Sequence, residues 1–202
     1  MFRTLALLAV LAGSPVAQAA SPTVAVHSPS GQAVKVPVPK SGDVALAQAR
    51  LIRLSPRGDA AAVQFCLDVS FFGILLCEVD LVRPGGQILR LKGGAVEGQL
   101  LWSSDGKYLI GAGGNTLRLW NLVGGRRLTV VNNFGDGPQT RTDHISKMWW
   151  QGDDLCVQAQ GTVWKAVSSK GRQGKTTTFT ARFTVPHLQP VKAVARLACS
   201  SL

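Results

Sequence analysis

Leu100-Leu101-Trp102-Ser103-Ser104-Asp105-Gly106-Lys107-Tyr108-Leu109-Ile110, followed by Gly113-Gly114-Asn115-Thr116-Leu117-Arg118-Leu119-Trp120-Asn121-Leu122, is the stretch on which the reading of this chain turns. An apolar residue, Trp102, precedes a polar corner whose Ser-x-Asp-Gly chemistry suits a tight β-turn. Strands are expected on its far side at Lys107 to Gly111 and again at Thr116 to Leu122. The same corner recurs 48 residues earlier as Leu54-Ser55-Pro56-Arg57-Gly58 and 48 residues later as Trp150-Gln151-Gly152-Asp153-Asp154. Strands are expected after these corners too, at Ala60 to Phe65 and Leu155 to Ala159, with second strands at Leu75 to Val82 and Thr162 to Val167. From corner to aligned second-strand residue the spacing shrinks: Gly58 to Val79, then Gly106 to Trp120, then Asp154 to Trp164. A constant period with one variable connection is how a repeat behaves when insertions fall in a loop.

Composition agrees with this pattern. Of 202 residues, 46% are hydrophobic, enough for a packed core, and 16% are charged, too few for a disordered polyelectrolyte. The length suits one domain and excludes two large ones. Gly 22 and Pro 10 favour short strands and tight turns over long helices. The fold class expected is all-β.

The Leu100 to Leu122 stretch resembles one blade of a WD40-like β-propeller. His144 to Lys165 resembles a degenerate second copy, with His144 near that family's blade-opening His and Trp164-Lys165 where Trp-Asp usually stands. Residues 46 to 92 resemble a weaker copy in which Val79-Asp80 replaces Trp-Asp. In the family these side chains form a structural hydrogen-bond network, so the resemblance implies a fold rather than an activity. It implies a propeller-like array of three to four small antiparallel sheets. A fourth would be built from the arm before Leu46 together with Thr177 to Val185 and Val191 to Cys199. The competing architecture is a two-sheet β-sandwich, which uses the same alternation.

Residues 1–19 have the three parts of a secretory signal: Arg3, an apolar core from Leu5 to Ala12, and small residues at Ala17 and Ala19, with cleavage expected after Ala19. That core is too short for a stable membrane anchor, and no other apolar run reaches the ~20 residues of a span. The expected destination is periplasmic or extracellular. Residues 20–45 form a Pro- and Ser-rich arm with alternating pieces at Thr23 to Val26 and Val34 to Val38, and residues 46–202 form the repeat domain. Four cysteines fit an oxidising compartment and allow three connectivities. A hairpin centred on Phe71-Phe72 would set Cys66 directly opposite Cys77, which leaves Cys156 for Cys199. Four unpaired, buried thiols are the other reading.

Catalytic and metal chemistry find little support. Only His27, His144 and His187 are present, none within a recognisable nucleophile motif, and the cysteine spacing is not that of a zinc site. Ser169-Lys170-Gly171-Arg172-Gln173-Gly174-Lys175-Thr176 nearly spells a P-loop, but the alternation that follows is that of a strand, whereas a P-loop opens a helix. A basic hairpin loop is expected there. No cofactor is implied.

Charge is the remaining signal. Lys and Arg number 22 against 11 Asp and Glu, and from Leu155 to Leu202 there are cations but no acid. Lys165, Lys170, Arg172, Lys175 and Arg182 are the candidate anion-binding residues, and anionic polymers the expected partners. Trp149, Trp150 and Trp164 are expected to fill the core, which weighs against nucleic acid, whose recognition asks for exposed aromatics among cations. The function expected is an exported, non-catalytic binding or scaffold module. Two alternatives are a hydrolase of envelope polymers with paired carboxylates and an assembly part docking a protein partner through Phe71-Phe72.

Overall fold

The computed structural model describes residues 23–27, 31, 33–38, 40–41, 44–45, 48–69, 74–91, 93, 98–123, 128–132, 134, 140–168, 171–190 and 199. The signal segment, the Phe71-Phe72 tip and Lys170 lie outside them. The fold is all-β, with three four-stranded antiparallel sheets and two small hairpins. Strands β1 (Thr23–His27) and β2 (Ala33–Pro37) pair with each other, as do β3 (Lys40–Ser41) and β4 (Val44–Ala45). The first large sheet is β5 (Gln48–Leu54), β6 (Ala61–Val69), β7 (Ile74–Val82) and β8 (Ile88–Leu91). The second is β9 (Leu100–Trp102), β10 (Tyr108–Gly113), β11 (Thr116–Asn121) and β12 (Leu128–Asn132). The third is β13 (Thr140–Gln151), β14 (Asp154–Ser168), β15 (Gly171–Thr184) and β16 (Gln189–Pro190). Within each sheet, chain neighbours are sheet neighbours.

Side-chain alternation explains how the sheets stack, because successive strand residues point to opposite faces. In β10 and β11, Leu109 and Trp120 pack toward the first sheet against Ala62, Val79 and Leu81. Their immediate neighbours Ile110 and Leu119 face the other way, against Ile145, Leu155 and Phe183 of the third sheet. The first sheet is two-faced as well: Ala61, Val63, Phe65 and Val82 pack on Val26, Val34 and Val36 of the β1–β2 hairpin. The Pro-rich arm thus contributes a packed hairpin to the core.

Positions 54 and 102 close the first strand of their sheets and 150 lies one residue before the end of its own, in register opposite Ala61, Leu109 and Leu155. The two tryptophans also join sheets. The Trp102 indole N–H donates to the carbonyl of Arg53 at 3.2 Å, and that of Trp150 to the carbonyl of Trp102 at 2.7 Å. Gln99 adds a bridge from the second sheet to the third, donating to the Ser146 carbonyl at 2.9 Å and accepting from the Met148 amide at 3.2 Å.

The first two corners share one geometry. Ser55 N–H donates to the Ala60 carbonyl at 2.8 Å and Ser103 N–H to the Tyr108 carbonyl at 2.9 Å. Gly58 and Gly106 sit at φ +66° and +67°, a region L side chains seldom adopt. The third corner is shorter, with Gln151 paired directly to Asp154.

The third sheet departs from expectation. Leu155 to Ala159 and Thr162 to Val167 are one continuous strand, β14, and not two strands of a hairpin. The reason is the spacing, since Gly161 lies in the ladder opposite Thr177 and makes no turn. Trp164 is therefore not the counterpart of Trp120. Trp120 lies opposite Leu109, and the corresponding partners are Val82 of Ala61 and Phe183 of Leu155, so Val79 is displaced as well. Thr177 to Val185 was expected to join the N-terminal arm in a fourth sheet; residues 177–184 belong instead to β15 of the third. Residues 191–198 lie outside the described set.

Both disulfides form. Cys66 and Cys77 are register partners across β6 and β7, and Cys156 joins Cys199.

Candidate polyanion-binding hairpin

Strands β14 and β15 are the longest in the protein's described part, at 15 and 14 residues. They pair from Leu155–Phe183 to Ser168–Gly171, whereas the described part of β13 ends at Thr140, opposite Val163. From Trp164 to Ser168 the pairs are Trp164–Gly174, Lys165–Gln173, Ala166–Arg172 and Ser168–Gly171. The P-loop-like segment is thus a strand hairpin, and no helix begins there.

Register sets three of the predicted cations, Lys165, Arg172 and Lys175, within the same few rungs of the ladder, with positions 165 and 175 on one face of the ribbon and position 172 on the other. The Lys175 side chain is exposed. Arg182 stands apart, opposite Cys156 and about 23 Å along the strand from Lys175. Its guanidinium is held by Asp154, with Nη2 2.7 Å and Nε 2.8 Å from Oδ2.

Trp164 is the residue the sequence reading misplaced. Instead of filling the core it is 42% exposed, and Trp149 and Trp150 are half-buried. A Cβ built on Gly174 would come within 3.1 and 3.2 Å of the indole carbons of Trp164, so the ring lies across the glycine on the neighbouring strand. Glycine at 174 leaves the indole room to lie there. The legible signal was Trp164 within an alternating polar run.

Among the described residues, two clefts lie at the corner end of the stack. One, of about 320 Å³, is lined by Arg57, Asp59, Arg83 and Trp102; the other, of about 330 Å³, by Asp105, Lys107, Tyr108, Trp150 and Asp153. They are related by the repeat, with Trp102 and Trp150 in equivalent places. In the second, hydrogen bonds from Lys107 and then Ser103 pull the Asp105 carboxyl down to about 2, and Asp105 in turn raises the Lys107 ammonium. Lys107 Nζ lies 2.8 Å from Asp105 Oδ2, and Ser103 Oγ donates to Oδ1 at 2.7 Å. The ion pair belongs to the turn.

Because the folded-state pKa of Asp105 lies below its unfolded value, its stabilisation is complete above about pH 4 and disappears as pH falls toward 2. Asp105→Asn is expected to cost about 1 kcal/mol at neutral pH, given solvent screening of a half-exposed pair. Its unfolding free energy should converge with that of the parent near pH 2. Urea titrations at pH 7, 4 and 2 measure this, and a difference that persists at pH 2 would contradict it.

Among the described residues no cluster of three or more His, Cys, Asp or Glu is placed to hold a metal, and no helix is long and apolar enough to cross a membrane. No protein-family model, curated protein or solved structure matches the chain.

Proposed function

We propose that this chain is an exported, non-catalytic binding or scaffold protein, a propeller-like stack of meander sheets whose β14–β15 hairpin grips anionic polymers. The observation that carries this reading is the grouping of Lys165, Arg172 and Lys175 on one ribbon in a segment without acids, while Arg182, away from them, is ion-paired. Cations grouped on one strand pair concentrate field where a polyanion can reach it. Export is supported by the signal-like N-terminus and by two disulfides, which persist in oxidising compartments. The propeller-like reading is supported by the face-to-face order of the sheets and by the Trp102 and Trp150 bonds that join them.

On a dextran sulfate matrix the protein is expected to be retained at low salt and released by about 0.5 M NaCl, where screening is short-ranged. Lys165→Gln/Arg172→Gln/Lys175→Gln should elute well before the parent, and the equally neutralised Lys35→Gln/Arg57→Gln/Arg83→Gln should elute later than the hairpin variant. Coincident elution of the two would assign binding to overall charge and overturn the hairpin's role.

A hydrolase has one observation in its favour, namely Asp105 and Asp153 lining one cleft. Both oxygens of Asp105 are engaged within its own turn, by Lys107 at 2.8 Å and Ser103 at 2.7 Å. Of the other acids, Glu78 and Asp80 both hold Arg90, at 3.3 and 3.2 Å, and Asp154 holds Arg182. The binding reading therefore stands ahead.

A further inference from the structure

The two clefts at the corner end are built alike but charged differently. The walls of the first come from two sheets, with Ala60 and Leu81 from the first sheet and Trp102 and Leu122 from the second. Ala60, Leu81 and Trp102 are buried members of the cluster between those sheets, and Leu122 packs against it. The Trp102 indole is fixed by its bond to the Arg53 carbonyl, so this apolar wall is formed before any ligand arrives.

The 48-residue period shows what has changed. Arg57 and Asp59 stand where the second corner has Asp105 and Lys107, so base and acid have exchanged places. Lys107 lies 2.8 Å from Asp105, whereas Arg57 Nε lies 3.5 Å from Asp59 Oδ2, both side chains being about half exposed. Asp59 Oδ1 accepts from Ser55 Oγ at 2.6 Å, which ties the acid to its own turn. Arg57 leans across to the second sheet instead. A Cβ built on Gly106 would come within 2.8 Å of its Cδ and 3.1 Å of its Cγ, so glycine at 106 leaves room for the arginine stem.

Arg83 is an addition that the repeat does not require. Val82 and Trp120 are equivalent by register, opposite Ala61 and Leu109, so Arg83 corresponds to Asn121. Asn121 serves its own turn, where its Oδ1 accepts from the Val123 amide at 3.0 Å. At Arg83 it is the backbone that holds the turn, donating to the Gln87 carbonyl and accepting from the Gly86 amide. Its side chain, partly buried, lines the cleft, and among the described residues it has no ion pair or hydrogen bond.

Two arginines against one aspartate leave this cleft one positive charge in excess, beside an apolar wall. A planar guanidinium matches the two oxygens of a carboxylate. Asp59 repels a second negative charge in the same space, so a monoanion suits the cleft better than a phosphate dianion. At about 320 Å³ the cleft lies at the lower end of the range for small organic ligands.

We propose that the cleft binds a small monocarboxylic acid with a compact apolar body, its carboxylate met by Arg83 and Arg57 and its body set against Trp102 and Leu122. The site is separate from the β14–β15 hairpin and does not depend on the polyanion reading.

The test is a nuclear magnetic resonance titration of the full chain that follows the Trp102 indole N–H signal, identified by its absence from Trp102→Phe. Phenylacetate should shift this signal saturably at millimolar concentration. Phenylacetamide, with the same shape but no charge, and acetate, with the charge but no ring, should each bind at least about tenfold more weakly. Arg83→Gln should weaken phenylacetate about tenfold, the scale of one charge-assisted hydrogen bond. Lys35→Gln removes one exposed cation of β2 outside the cleft and should bind phenylacetate as the parent does. Phenylacetamide binding as tightly as phenylacetate would overturn the proposal, and so would equal weakening by Arg83→Gln and Lys35→Gln. The absence of a saturable shift at tens of millimolar phenylacetate would overturn it as well.

Discussion

Trp102→Ala is expected to lower the unfolding free energy by about 3–5 kcal/mol, the range for truncating a buried aromatic residue. The indole is 7% exposed and packs in the cluster that joins the first sheet to the second, among Leu81, Leu109 and Trp120. It also donates to the Arg53 carbonyl at 3.2 Å, so its loss both opens a cavity and removes a hydrogen bond to the neighbouring sheet. Trp102→Phe separates the two effects. It keeps most of the ring and is expected to cost about 1–2 kcal/mol, the scale of an unmade buried hydrogen bond with some packing loss. Urea unfolding of the two variants checks the division. Equal losses would mean that the hydrogen bond, and not the wedge between sheets, holds the joint. Trp150→Ala should cost less than Trp102→Ala, because Trp150 is only half-buried.

Removing the Cys156–Cys199 bridge as Cys156→Ala/Cys199→Ala is expected to cost about 4 kcal/mol, and removing Cys66–Cys77 in the same way about 2.5–3 kcal/mol. The difference follows from loop length: the bridged residues are 43 apart in the first case and 11 in the second. Closing a longer loop removes more conformations from the unfolded chain. The bridges also differ in what they hold. Cys66 and Cys77 already face each other across a ladder of backbone bonds, whereas Cys199 fastens the C-terminal end to β14. Limited proteolysis should accordingly cut first near the C-terminus in the Cys156→Ala/Cys199→Ala protein and not in the other. Equal stability losses and identical cleavage would contradict the argument.

The Trp102 wedge and the two bridges act at different scales of organisation, and the same division governs what could be read in advance. Ser103-Ser104-Asp105-Gly106 makes a turn because its own residues accept the required backbone angles and bond to one another, as Ser103 Oγ does to Asp105. The Cys66–Cys77 pairing was legible for the same reason, since a hairpin puts residues near its tip opposite each other whatever surrounds it. Gly161 was not legible. In a linear reading, a glycine between two apolar runs marks a turn as readily as a point of close approach, and only the neighbouring strands show it to be the latter. A Cβ there would meet the Arg141 carbonyl oxygen at 2.6 Å and the Phe179 ring at 2.8 Å.

Trp164 shows the same limit at the candidate site. Alternation says that Val163 and Trp164 face opposite ways, but not which way is inward, because a strand of period two fits a core on either side. That choice is made by the sheet packed against β14, through Ile110, Leu117 and Leu119 meeting Val157 and Ala159. Likewise the cations between Leu155 and Leu202 are visible as an excess of charge. Their division into a hairpin group and an ion-paired Arg182 depends on strand register, which puts Lys175 and Arg182 at different ends of one strand. Local chemistry along the chain thus set the turns, their 48-residue period, the all-β class and the hairpin bridge, since each depends on residues close in sequence. The length of β14, the outward face of Trp164 and the company each cation keeps were settled by contacts between sheets, because burial and ion pairing are properties of neighbours brought from far along the chain.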